Sequence, residues 1–278
     1  MVPKTDFFIP DGSSLEVACK KVTHLGIGAH QDDLEIMALH GILACYKQAS
    51  EHFGGIICTN GGGSPRLGCY ALLNDHEMIA LRCQEQRKAA VIGEYAVVAQ
   101  LGYSSSVIKK TREDLVKSLC ELLLQMQPEI IYTHNPLDSH ATHISVFLAV
   151  VEALRTLPPA RRPKNFLGCE VWRSLDWLPH EGKISLDVSR YPELSKKLIR
   201  SFDSQIAGGK RYDHAMIGRY HANATFADPH QTDEATMILY AMDLMPLLED
   251  ETKDIADYAL GFIDRFRNEA ASKFAEPR

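Results

Sequence analysis

The chain has 278 residues, 45% of them hydrophobic, which is enough for a sizeable core in one large domain or a domain with an extension. A formal net charge of −6 argues against a broad electrostatic grip on nucleic acid. Seven cysteines, odd in number and without a C-x-x-C pair, fit free thiols in a reducing compartment better than a disulfide framework.

The opening segment, MVPKTDFFIPDGSS, lacks a basic-then-apolar signal. No run of about 18 apolar residues follows anywhere, so a soluble cytoplasmic protein without a membrane span is expected.

From residue 22 to about 157, apolar runs alternate with helical patterns. VTHLGIGAH (22–30) reads as a buried strand, and DLEIMALHGILACYKQAS (33–50) carries apolar residues at helical spacing. FGGIICTN (53–60) reads as a strand ending in glycine. NDHEMIALRCQEQRKAAVIG (74–93) reads as a helix capped by Asn74 or Asp75 and stopped at Gly93. YAVVAQLG (95–102) is strand-like, TREDLVKSLCELLLQMQP (111–128) a helix with Thr111 as cap and Pro128 just past its end, EIIYTHN (129–135) strand-like, and SHATHISVFLAVVEALRTL (139–157) a helix.

Strands alternating with long helices predict parallel βαβ units, a Rossmann-like α/β sheet flanked by helices. In such sheets ligands bind outside the carboxyl ends of the strands. Ala29-His30, Thr59-Asn60 and His134-Asn135 all fall at those ends.

After LPPARRP (157–163) the pattern loosens. NFLGCEVWRS and KISLDVS suggest two more strands, and residues 191–207 and 231–270 read as helices. We therefore expect one domain over 1–278: an α/β core at 22–157, with 158–278 adding strands and helices that complete the sheet and the rim of the site.

GIGAHQDDLEI (26–36) sets two carboxylates side by side, which repel. One reading is a helix start, with Asp32 as the cap and Asp33 and Glu35 meeting the positive helix end. A second segment, YTHNPLDSHATHISV (132–146), favours another. His140 and His143 share a helix face, and together with H-x-D-D at another strand end of the same sheet they can converge on one point. Two histidines and a carboxylate form a common catalytic zinc set. Two neutral imidazoles and one carboxylate leave such a site net positive, which acidifies a bound water. A second carboxylate beside it can then take the proton.

AHQDDLEI resembles the A-H-P-D-D-x-E-I motif of the PIG-L/LmbE-like zinc de-N-acetylases, and HNPLDSHATH resembles that family's second motif, which ends H-P-D-H. LRCQEQRKAAVIG, CTNGG and FDSQ (202–205) are similar to its lesser motifs. The resemblance, strongest over 22–150, implies His30, Asp33 and His143 as ligands of zinc or another divalent metal, and Asp32 as general base. It implies His140 as the group that stabilises the oxyanion and protonates the leaving amine. Gln31 stands where the family has Pro, Thr142 where it has Asp, and Phe202 where it has His.

The expected reaction is removal of an N-acetyl group from a GlcNAc-type amino sugar or its conjugate. Arg82, Asn60 and Trp177 are the candidate substrate contacts. The partner is a small N-acetylated sugar or glycoconjugate, and homo-oligomerisation is left open. EVWRSLDWL (170–178) also offers Trp172, and residues 208–226 suggest a polar rim or lid with Lys210, Arg211 and Arg219 as anion contacts. A metal-dependent amidase acting on a non-sugar amide and a non-catalytic ligand-binding homologue remain as alternatives. A dinucleotide-binding module is disfavoured, because GIGAHQDD lacks the third glycine and its acids would repel pyrophosphate.

Overall fold

In the computed structural model, which describes residues 3–275, one eight-stranded sheet runs through the chain. Its strands are β1 (Asp6–Phe8), β2 (His24–Gly28), β3 (Phe53–Thr59), β4 (Val97–Tyr103), β5 (Ile130–His134), β6 (Asn165–Cys169), β7 (Lys183–Asp187) and β8 (Ile238–Asp243). Their order in space is β1-β4-β3-β2-β5-β6-β8-β7. The run β4-β3-β2-β5-β6 is parallel throughout, while β1, β8 and β7 add antiparallel edges. The mostly parallel α/β sheet expected from the alternation is present.

Helices cover both faces. On one side Leu15–Lys21, Glu113–Met126 and Ala141–Thr156 pack a core around Ile27, Ile56 and Phe147. On the other, Asp33–Met37, Leu39–Cys45, Asp75–Ile92, Pro192–Ile199 and Tyr212–Thr225 pack around Leu34, Phe53 and Tyr132. β2 and β3 are buried at every residue, as strands covered on two faces must be. Chain order reverses at β2: β3 and β4 lie to one side of it, β5 and β6 to the other. The carboxyl ends of β2 and β5 therefore flank the crevice where ligands bind in this architecture.

Several elements differ from the sequence reading. The single helix expected over 33–50 is two, split at Ala38 and ending at Cys45. Almost every residue of both is buried, so the segment carries no polar stripe that would mark the break. Residues 231–270 are not all helical: β8 lies within them, followed by Pro246–Glu249 and Ile255–Ala275. β8 is covered on both faces and flanked by β6 and β7, so its sequence is a continuous apolar run without alternation. β1 and the helix Leu15–Lys21 precede the first strand expected, a short helix Ser105–Ile108 follows β4, and Arg112, not Thr111, holds the cap position of the helix Glu113–Met126. The proposed rim at 208–226 is largely the helix Tyr212–Thr225. Among the described residues, no helix is long and apolar enough to cross a membrane.

Candidate metal and catalytic site

The site is built where β2 gives way to a short loop. Gly28 allows the close turn, since a Cβ there would sit 3.0 Å from the Cβ of Asp33. The His30 backbone N–H donates to Asp33 Oδ2 at 2.6 Å, pinning the carboxylate against the strand end. Asp32 adopts a left-handed conformation, φ 85°, and its side chain caps nothing. The helix-cap reading of this aspartate is thereby corrected. A non-glycine residue in that region needs surrounding structure to hold it, and such strain concentrates at functional sites.

Around Asp33 three imidazoles converge. His30 Nδ1 lies 3.4 Å from Asp33 Oδ2, His143 Nε2 lies 3.4 Å from Oδ1, and the two imidazole nitrogens are 3.3 Å apart. Donors about 2.0–2.1 Å from a tetrahedral ion stand about 3.3–3.4 Å from one another. The donors fit a divalent metal in chemistry, and the His30–His143 pair fits it in spacing; single donor atoms within 4.8 Å of one another are offered by His30, His140 and His143 and by Asp33, His134 and His143.

His134 Nε2 also approaches Asp33 Oδ2, at 3.4 Å, but it already accepts the Ala29 N–H at 2.9 Å. That lone pair is in use, so His134 is the weaker ligand. Its ring stacks on His143 with centroids 3.8 Å apart and braces it.

Charge follows the geometry. Burial alone would raise Asp33, yet the His143 and His134 imidazoles hold its carboxyl well below the usual range. Burial pushes His143 down to about 4, against the pull of Asp33, so its ring is neutral and its Nε2 lone pair is available. Asp32 goes the other way: burial lifts it to about 6, opposed by Arg82 and reinforced by Asp33. Two adjacent carboxylates thus separate into a permanently ionised one and one poised near neutrality.

Arg82, on the helix Asp75–Ile92, is 1% exposed. Its Nη2 donates to the Gln31 carbonyl and, at 3.1 Å, to Asp32 Oδ2, while Nη1 lies 3.5 Å from Glu85 Oε2. Glu85 in turn accepts the Ser204 N–H and hydroxyl, both at 2.7 Å. The FDSQ segment therefore does reach the site: Phe202 packs against the guanidinium, and Ser204 anchors the carboxylate beside it. Arg82 is spent on protein partners, although it also borders the cavity.

Sequence reasoning gave no role to Asp138, yet it organises the histidines. Its Oδ1 accepts the His140 N–H at 2.8 Å and lies 3.5 Å from His143 Nδ1. It supplies the carboxylate that Thr142 lacks, from four residues earlier and from within the same Asp-x-His-x-x-His run. Loss of such a buried orienting partner is expected to weaken metal affinity about 10–100-fold. Competition of D138A against a metal-binding dye measures this, and wild-type affinity in D138A would remove the role.

A cavity of about 700 Å³ opens over the site, lined by His30, Asp32, Asp33, His140, Asn60, Trp172 and Tyr212 among others. His140 stands edge-on to His30 at 5.1 Å, and its Nδ1 has no hydrogen-bond partner among the described residues. Burial and neighbouring His30 lower its pKa, so its ring is neutral near pH 7. Asn60 borders the cavity and holds the glycine turn by accepting the Gly62 N–H at 3.1 Å. In that turn Gly61 has φ 70°, and a Cβ would collide with Gln31 Oε1 at 2.5 Å.

Trp177 is not at the site, which corrects the sequence expectation. Its ring packs on Phe266 and its indole N–H donates to the Ser174 carbonyl. Trp172, five residues earlier, lines the cavity instead. Arg211 pairs with Asp213, and Arg219 donates to the Val171 carbonyl; of the three expected anion contacts only Lys210 lines the cavity.

Comparison with known proteins agrees with this arrangement. Residues 25–154 match the family model described as PIG-L: GlcNAc-PI de-N-acetylase. An uncharacterised deacetylase of Escherichia coli K12, YaiS, is 27% identical over 153 residues, 53% of this chain and 76% of the relative. Among solved structures, N,N′-diacetylchitobiose deacetylase from Pyrococcus horikoshii superposes with a TM-score of 0.63 at 19% identity, covering 87% of this chain and 91% of that one. The 4-carboxy-2-hydroxymuconate hydratase GalB of Pseudomonas putida KT2440 gives the same TM-score of 0.63 at 14% identity, over 84% of this chain and 99% of its own. These two structural likenesses speak to fold alone. The matched span, 130 of the 278 residues, includes His30, Asp32, Asp33, His140 and His143, and over that span the chain is similar to the PIG-L de-N-acetylases.

Proposed function

We propose that this chain is a zinc-dependent hydrolase that releases acetate from an N-acetylated amino sugar of the GlcNAc type or its conjugate. One observation carries the reading. His30 Nδ1 and His143 Nε2 lie 3.3 Å apart and each lies 3.4 Å from one oxygen of the Asp33 carboxylate, while the neighbouring Asp32 is turned onto Arg82 and faces the cavity.

His30, Asp33 and His143 would hold a divalent ion, which would supply an acidified water and a Lewis acid for the acyl oxygen. The protein's own groups do the rest. Asp32, poised at about 6, is ionised at neutral pH and takes the proton from the attacking water. Neutral His140 donates a hydrogen bond to the oxygen of the tetrahedral intermediate. The proton held on Asp32 then passes to the departing nitrogen as the C–N bond breaks, giving acetic acid and the amine, which at neutral pH part as acetate and the ammonium form once the acid's proton is transferred. His140 is a poor acid at neutral pH, so Asp32 is the better source of that proton.

The description of the matching family supports a sugar substrate, and the cavity volume of about 700 Å³ lies within the usual range for small-ligand sites. Acetate release from N-acetylglucosamine, diacetylchitobiose and N-acetylated amino acids tests this. We expect turnover of the sugars, abolished by a chelator and restored by added zinc. Faster turnover of the amino acid amides would replace the sugar by a non-sugar amide, and chelator-resistant turnover would remove the metal.

A further inference from the structure

We propose that Trp172 is the platform on which the pyranose ring of the substrate stacks, so that it selects a cyclic amino sugar over an open-chain N-acetylated amine. The inference rests on the amino-sugar reading above and adds the residue that enforces it.

Trp172 is 41% exposed, while the chain's other tryptophan is packed against Phe266. An indole left open to solvent forfeits burial, and here that open surface borders the cavity over the metal ligands. It also lines a smaller adjoining recess of about 130 Å³ with Asp32, Asp33 and Tyr212. Trp172 therefore forms part of both chambers beside the reacting groups.

The indole is held in place. Its backbone N–H donates to Asp138 Oδ2 at 3.0 Å, and the other oxygen of the same carboxylate lies 3.5 Å from His143 Nδ1. One buried carboxylate thus ties the platform to a metal-binding imidazole. Tyr212 meets the indole edge-on at 6.1 Å, and the His140 ring lies 24° from parallel with it at 6.3 Å. A sugar resting on this surface is thereby set next to the histidine assigned to the acyl oxygen.

The chemistry suits a pyranose. One face of such a ring presents C–H bonds polarised by the attached oxygens, and these are attracted to the negative face of an indole as a cation is. The Lys210 ammonium already lies 4.9 Å from the Trp172 centroid, which shows the ring in that use. The hydroxyls at the sugar's edge remain free for Asn60 and Lys210, both of which line the cavity. An open-chain amine offers no flat C–H face and gains nothing from the indole.

Two measurements on the zinc-loaded enzyme test this. With W177F as background, Trp172 is the only tryptophan emitter, and N-acetylglucosamine should change its emission saturably. W172A should raise KM for the sugar about tenfold with kcat within about threefold, and W172F should retain most of the affinity. Both variants should lose far less on N-acetylethanolamine than on the sugar.

Unchanged emission across the sugar titration, unchanged KM in W172A, or equal losses on sugar and open-chain amide would each overturn the platform. If the sugar is not hydrolysed, the amino-sugar reading fails by itself. The emission titration still decides whether a pyranose rests on Trp172.

Discussion

Replacing Asp32 by Asn is expected to lower kcat by about 10²–10⁴-fold while leaving the zinc content of the protein intact. Asp33→Asn is expected to lose the metal and the activity together. The two residues adjoin in sequence, but the structure gives them different surroundings. Asp33 faces His30, His134 and His143, which keep it ionised against the cost of burial. Asp32 turns away in a left-handed conformation, bonds Arg82 and faces the cavity with its carboxyl lifted to about 6. D32N keeps the shape and removes the proton acceptor; D33N removes an anionic ligand. Metal analysis beside turnover separates them. Equal metal loss in both variants would end the division of labour between the two aspartates.

Arg82→Met is expected to destabilise the fold by about 3–5 kcal/mol, because it strands two buried carboxylates. Arg82, Asp32 and Glu85 are all under one-tenth exposed, and the guanidinium is the cation facing both acids. Ser204 alone would then answer Glu85. A lower denaturant midpoint in R82M, partly restored in R82M/E85Q, is the expected pattern; an unchanged midpoint would show that the pair is not worth its burial.

The same substitution has a pH signature. Burial raises the pKa of Asp32 and Arg82 opposes that rise, so losing the guanidinium moves it further upward. A base must be ionised to act, so the rising acid limb of the kcat profile should shift to higher pH in R82M. A shift to lower pH would contradict the assignment of Asp32 as base.

What was legible in the sequence follows from where physics leaves a local mark. Asn74 and Glu77 form a reciprocal capping box, and the helix they open is bounded nearly as its capping signals place it, ending at Gly93. The strands β2, β3 and β5 stand out because strands buried on two faces are short apolar runs between polar turns. The rule that such sheets present their sites at strand ends placed His30, Asn60 and His134 along one edge.

The misses share a cause: long-range contacts decide them. β8 and the split at Ala38 sit in segments apolar on all sides, where no periodicity survives. Trp172 and Trp177 are five residues apart in one loop, and only the packing of Phe266 from the C-terminal helix separates platform from core. Asp138 lay within a motif already singled out, two residues before His140. Its carboxylate has meaning only once His143 Nδ1 and the Trp172 N–H arrive from different stretches of chain. The partnership of Glu85 with Ser204 spans 119 positions, which no local pattern can carry.

The most direct test of the account is a crystal of the zinc-loaded protein measured at the zinc absorption edge. The account predicts one anomalous peak about 2.0–2.2 Å from His30 Nδ1, an Asp33 oxygen and His143 Nε2, with Asp32 and His134 outside the coordination sphere. A peak bound by Asp32 or His134 in place of one of those three, or no ordered metal between positions 30 and 143, would contradict it.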